Sequence, residues 1–228
     1  MRNIVIVGGS KGIGNAILIS QLNMNNNVFN ISRTAPEIKH PNLKHFNYDV
    51  LNDELPEIIS VDTLIYCPGS INLKPISTLT IDDFRTDFEI NVIGAVKTIK
   101  KYLKPLKNGN NPNILLFSTV ATKLGMPYHA SVAASKSAIE GLTKSLGAEL
   151  APTIRVNAIA PTVTDTDLAL KILRNDKMKE LIAEKHPLKR YLNTNDVAAL
   201  ADFLISENSS AISGQIFNLD CGIVTFKI

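Results

Sequence analysis

Dense runs of lysine or arginine are missing from this chain of 228 residues, and its net charge is only +3. A weakly charged chain without a basic stripe is not expected to bind nucleic acid. No run of ~20 apolar residues occurs, so no membrane span is expected. The apolar stretch at the N-terminus stops at Gly8, too short for a signal peptide, which leaves a cytoplasmic location as the expectation. Cysteine is scarce: Cys67 and Cys221 lie far apart, and reduced thiols are expected rather than a disulfide framework. No internal repeat or low-complexity linker divides the chain, and no metal site is expected. What is present is the composition of an ordinary soluble protein, 45% hydrophobic and 20% charged. The length fits one α/β domain over residues 1–228, long enough to bury a large core.

The pattern is that of a parallel sheet covered by helices on both faces. Ile4–Val7 reads as a strand buried on both sides. It runs into Gly8-Gly9-Ser10-Lys11-Gly12-Ile13-Gly14 and then a helix through about Met24. Glycines between a strand and a helix let the backbone approach a phosphate, and the helix start offers free N–H groups and a favourable dipole. Further strands are expected at Val28–Ser32, Leu43–Tyr48, Thr63–Tyr66, Leu115–Phe117, Arg155–Ile159 and within Gly214–Gly222. An amphipathic helix is expected over Ile81–Leu103, with Ile81, Phe84, Phe88 and Val92 on its apolar face and Asn91 in its middle. Ala130–Leu150 has helical spacing of small and apolar residues. A charged helical lid is expected over Ala169–Lys189, within a variable segment of about 165–192, and a capped helix starts at Thr194-Asn195-Asp196. The fold class is therefore α/β, a Rossmann-type doubly wound parallel sheet.

A Rossmann site for NAD places an acid near the end of the second strand to hold the ribose hydroxyls. This chain offers Ser32 and Arg33 there, with Lys11 in the glycine loop. Two cations and a hydroxyl suit a 2′-phosphate, which favours NADP(H) over NAD(H), unless Lys11 and Arg33 are merely solvated charges. In an open α/β sheet, ligands bind beyond the carboxyl ends of the strands, where Thr119 follows the apolar run Leu115-Leu116-Phe117. Lys136 stands on the first turns of the following helix.

These residues resemble the short-chain dehydrogenase/reductase family along nearly the whole chain. The spacing of Gly8, Gly12 and Gly14 resembles its glycine motif, and Asp49-Val50 its pair beside the adenine, although Asp49 also reads as a turn cap. Gly69 matches the last residue of the family's Asn-Ala-Gly, and Asp220-Cys221-Gly222 is similar to its closing Asp-Gly-Gly. Pro161-Thr162-Val163-Thr164-Asp165-Thr166 resembles the loop that meets the nicotinamide, so Pro161, Thr164 and Thr166 are cofactor candidates. Asp165 and Asp167 read as helix caps. The resemblance implies a proton-path or helix-bending role for Asn91, a carbonyl-steadying role for Thr119 and a ribose-holding role for Lys136. It also implies a homodimer or homotetramer paired through the Ala130–Leu150 helix.

The family's Tyr-x-x-x-Lys is broken here, because Val132 stands where the tyrosine belongs. Tyr128 comes four residues too early and reads more simply as a packed or rim aromatic. Two functions follow. One is an NADP(H)-dependent oxidoreductase acting on a small-molecule carbonyl, enone or imine without the phenol, with Tyr128, His129 or water as donor. The other is a catalytically inactive nucleotide-binding homologue serving as a sensor or partner subunit.

Overall fold

The computed structural model describes residues 1–226. Seven parallel strands form one sheet in the order β3-β2-β1-β4-β5-β6-β7. They are β1 (Asn3–Val7), β2 (Asn27–Ser32), β3 (Leu43–Asn47), β4 (Thr63–Tyr66), β5 (Asn113–Phe117), β6 (Arg155–Pro161) and β7 (Ile216–Leu219). The helices are α1 (Gly12–Asn23), α2 (Ile81–Phe88), α3 (Gly94–Lys107), α4 (Ala130–Glu149), α5 (Asp176–Lys185) and α6 (Thr194–Ile205).

Alternation along the strands divides the core between the two faces. Val5 and Val7 join Leu64, Leu116 and Val156 beneath Ile99 and Leu106 of α3 and Ile139 of α4. Ile4 and Ile6 face the other way, joining Ile65, Leu115 and Ile159 beneath Ile17 and Leu18 of α1 and Val197 and Leu204 of α6. Both faces of the central strands are covered, which is why they read as unbroken apolar runs. Successive strands are added towards one edge from β1 to β3 and towards the other from β4 to β7, so the crevice at the carboxyl ends of β1 and β4 is the switch point of the sheet.

Two expected helices differ in form. Ile81–Leu103 is interrupted by a π-helical turn at Glu89–Ile93, between α2 and α3. The hydroxyl of Tyr66 on β4 wedges in and donates to the Ile90 carbonyl at 2.6 Å. A Cβ on Gly94 would lie 2.1 Å from that hydroxyl oxygen, so only glycine fits. Ile81 and Phe88, expected on the buried face, are exposed, and the fully buried side chain of α2 is Asp87. The expected helix over Ala169–Lys189 is confined to α5, because Asn175 caps a fresh start by accepting from the Met178 N–H at 2.9 Å. Asp165 and Asp167 cap no helix through their side chains. Asp167 instead lies 3.3 Å from the Lys11 ammonium. Among the described residues no helix is long and apolar enough to cross a membrane.

Candidate active site

The glycine turn is built for close backbone approach. Gly8 and Gly12 adopt φ of +82° and +56°, in the region that favours glycine. A Cβ on Gly14 would sit 2.3 Å from the Gly8 carbonyl oxygen. Beneath the turn, buried Asn30 of β2 accepts from the Gly9 N–H at 2.9 Å. The α1 start at Lys11 has no side-chain cap, so its leading N–H groups remain open to an anion.

From this turn a cavity of about 460 Å³ runs along the carboxyl ends of the strands. Gly8, Lys11, Gly12, Ile13 and Gly14 line one end. Gly69, Thr119, Val132 and Lys136 line the middle, with Pro161, Thr164 and Thr166 opposite. The other sequence candidates lie outside its wall. Ser10 accepts a hydrogen bond from Thr34 at 3.2 Å, and Ser32 donates to the Thr34 carbonyl at 2.9 Å, so both sit with exposed Arg33 at the carboxyl end of β2. Asp49 accepts from the Leu51 N–H at 3.0 Å and from Asn52 at 3.1 Å, which makes it a turn cap. The Leu51 N–H holds its carboxyl below the usual range, with smaller contributions from Asn52 and the field of Arg33. Val50 is buried in the core.

Tyr128, a donor candidate, has the rim position of its simpler reading. It is 59% exposed at φ +69° and faces a separate shallow depression beside Ile76 and Leu124, not the cavity. His129 does reach the cavity. The carbonyl of Pro127 holds its Nδ1 at 2.8 Å and can only accept, so Nδ1 carries the proton and Nε2 is left open.

Lys136 is buried, and its ammonium donates to the Phe117 carbonyl at 2.9 Å. Burial pulls its pKa down to about 8, opposed by the fields of Cys67 and Asp87. Burial pushes the neighbouring Cys67 thiol up to about 12, so it is neutral at physiological pH and the Asp87 carboxylate is the partner that matters. Asn91 lies in the π turn at 1% exposure. Its amide donates to the Asp87 carbonyl at 2.7 Å, while its Oδ1 has no partner. That oxygen and the Lys136 ammonium lie 3.4 and 3.6 Å from where a Cβ on Gly69 would be. Gly69 and Lys136 therefore share one corner of the cavity, with Asn91 buried directly behind it. Thr119 Oγ1 accepts from the Ala121 N–H at 3.3 Å, which leaves its own hydrogen for the cavity.

Two groups escaped the sequence reading. Thr162, at the end of β6, pairs with buried His186 Nε2 at 2.8 Å while His186 Nδ1 pairs with the Ile182 carbonyl at 2.7 Å. The carbonyl requires Nδ1–H, so Thr162 donates to Nε2. Asp87, at 0% exposure, accepts from Ser70 at 2.6 Å, Asn72 at 3.1 Å and Ser131 at 2.6 Å. A signal existed for Asp87: it lies one turn before Asn91 on the same helical face.

A seven-stranded Rossmann sheet with a glycine turn at its switch point and a lysine at its centre defines a dinucleotide-binding fold. Residues 50–224 match the family described as enoyl-(acyl carrier protein) reductase, and the chain belongs to this family of short-chain dehydrogenase/reductase oxidoreductases. It is 30% identical over 232 residues to the 3-oxoacyl-[acyl-carrier-protein] reductase of Rickettsia prowazekii, covering 96% of this chain and 95% of that protein. It is 34% identical over 148 residues to the peroxisomal 2,4-dienoyl-CoA reductase of Saccharomyces cerevisiae, covering 64% of this chain and 50% of that one. The chain thus matches about half the length of the yeast relative. Among solved structures, ElxO with NADP bound superposes with a TM-score of 0.87 at 25% identity, covering 99% of this chain and 100% of that one. The 4-hydroxyisoleucine dehydrogenase complexed with NADH also gives 0.87 at 25% identity, with both chains fully covered.

Proposed function

We propose that this protein is an NADP(H)-dependent oxidoreductase acting on a small-molecule carbonyl, enone or imine, at a site where Val132 stands in place of the family's tyrosine. The observation that carries the reading is the corner of Lys136 and Gly69, backed by buried Asn91 and beside Thr119, in a cavity continuous with the open start of α1. The glycine turn, which an added side chain would fill, fits a pyrophosphate. When bound, the nicotinamide supplies or takes up a hydride. The Lys136 ammonium has three hydrogens and gives one to Phe117, which leaves two for ribose hydroxyls. The Thr119 hydroxyl points its free hydrogen at a substrate oxygen. Val132 keeps that wall dry and moves no proton. Acceptors that need little acid assistance, a conjugated alkene or an iminium, suit such a wall best.

Arg33 and Lys11 favour a 2′-phosphate, and the hydroxyls of Ser10, Ser32 and Thr34 gather at the same strand end. Losing one charge-assisted contact is worth about 1.5–3 kcal/mol. Arg33→Asp is therefore expected to shift preference towards NADH by at least about tenfold, read from the dissociation constants of both coenzymes. An unchanged ratio would remove the phosphate assignment. A second copy of the chain is expected along α4, where Ala134, Ser137 and Gly141 are exposed.

The test of function is NADPH oxidation across ketones, enones and imines, run beside NADPH binding measured by fluorescence. Turnover on one of the three classes supports the proposal. Tight binding with no turnover on any of them points instead to a nucleotide-binding sensor or partner subunit.

A further inference from the structure

Burying a carboxylate without a cation against it is costly unless its oxygens are satisfied. Asp87 is such a group. It is the fully buried side chain of α2, and its three side-chain donors are the neutral Ser70, Asn72 and Ser131. Asn72 and Ser131 lie away from the cavity, whereas Ser70 lines it. Ser70 follows Gly69 directly, and its oxygen accepts from the Asn91 amide at 3.2 Å. It therefore shares the corner of Lys136 and Gly69.

A hydroxyl has one hydrogen and two lone pairs. Ser70 commits its hydrogen to Asp87 and one lone pair to Asn91, so what it presents to the cavity is the other lone pair. We propose that Ser70 and Asp87 form the proton relay of this site, with Ser70 touching the substrate oxygen and Asp87 acting through it. This rests on the oxidoreductase reading above and names the group that does the phenol's work.

In the oxidative direction an alcohol gives its proton to Ser70 Oγ while the Ser70 hydrogen passes to Asp87 Oδ1. The alcohol carbon loses a hydride, with its electron pair, to an oxidised nicotinamide. The C–H and O–H bonds break, a C=O bond forms, and Asp87 ends as a carboxylic acid. It returns its proton through Ser70 to water when the site empties. Reduction runs the same steps backwards, the acid proton passing through Ser70 to the new alkoxide oxygen. Ser118 also lines the cavity and donates to Glu140 at 2.6 Å, but it makes no bond to Asn91, and Glu140 is only half-buried, so the pairing with a fully buried carboxylate at the Lys136 corner is Ser70 with Asp87. The Thr119 hydrogen has no base behind it, and Lys136 gives a hydrogen to Phe117 and faces the ribose position.

The test compares the parent protein with S70A, S70T and D87N on a ketone or enone; a parent that reduces iminium ions alone, which need no proton at an oxygen, overturns the relay. S70A leaves the Asn72 and Ser131 bonds to Asp87 in place, so it separates the relay from the fold. S70A and D87N are expected to lose turnover at least tenfold, with NADPH affinity within about twofold in S70A, and S70T, which keeps the hydroxyl, is expected to recover most of the rate. A readout without turnover is the proton NMR spectrum, where a hydroxyl hydrogen held by a buried carboxylate at 2.6 Å resonates downfield; one such signal should vanish in S70A. Parent-like turnover in S70A or D87N, or S70T no faster than S70A, overturns the relay and leaves the oxidoreductase reading standing. A parent protein inactive on every acceptor class overturns both.

Discussion

Val132→Tyr is expected to raise turnover on simple ketones by about 10²-fold, with NADPH affinity unchanged. Position 132 lies one helical turn before Lys136 on the buried face of α4, and both side chains line the cavity. Residues four apart on a helix are neighbours. A phenol at 132 therefore meets the ammonium of Lys136, which favours phenolate and eases proton transfer. A positioned general acid is worth about 10²–10⁴ in rate. The lower end applies because Ser70 and Asp87 already move a proton in the parent. The gain should be largest for unactivated ketones and small for iminium ions, which arrive with their proton. The two devices should also be non-additive. Once tyrosine stands at 132, D87N should cost less than twofold, where it costs at least tenfold in the parent. Equal losses from D87N with and without the phenol would mean that Asp87 supports the fold rather than the proton. No gain on any ketone would mean that Val132 is not what limits this site.

The strands were legible because they obey one rule. In the central strands Val5, Ile6, Leu115 and Leu116 are covered on both faces, so the chain there is apolar without interruption, although β5 starts at Asn113, before the expected Leu115, and β6 runs past the expected Ile159 to Pro161. The glycine turn was legible because an added Cβ at Gly14 collides with backbone, which no flexible neighbour can relieve. The place of Lys136 followed from the resemblance and from the strand end before it. What could not be read was tertiary in origin. The π turn forms where the Tyr66 hydroxyl on β4 bonds the Ile90 carbonyl; the helix-bending role expected of Asn91 marked its place but not its form. The lid is the exception with a local cause: it lost half its expected helix because Asn175, a favoured N-cap residue, accepts the Met178 N–H. Ile81 and Phe88 carry the right spacing for burial, yet both are exposed. Asp87 was missed for the opposite reason. An acid on an amphipathic helix is read as solvated, and only the converging Ser70, Asn72 and Ser131 give it a reason to be inside.

Lys136→Met should separate stability from function and reveal what this site costs the fold. An ammonium that titrates at 10.5 when exposed and at about 8 in the native chain binds its proton more weakly after folding. Below pH 8 it is charged in both states, and folding bears the whole desolvation penalty. Between pH 8 and 10.5 the unfolded chain keeps a proton that the native chain has shed, so stability climbs as pH rises. Above 10.5 the penalty is gone. The difference in pKa corresponds to about 3 kcal/mol. Methionine fills similar space without charge but strands the Phe117 carbonyl, which offsets about 1 kcal/mol. Urea unfolding should therefore find the variant more stable by about 2 kcal/mol at pH 7, with a flatter pH profile from 8 to 10.5. Turnover should fall by about 10²–10³, the usual loss when a preorganised donor is removed, and NADPH should bind more weakly as the ribose loses its partner. A variant less stable than the parent at pH 7 would show that the field of Asp87 outweighs desolvation at Lys136. The buried carboxylate would then be holding the lysine in place as well as serving Ser70.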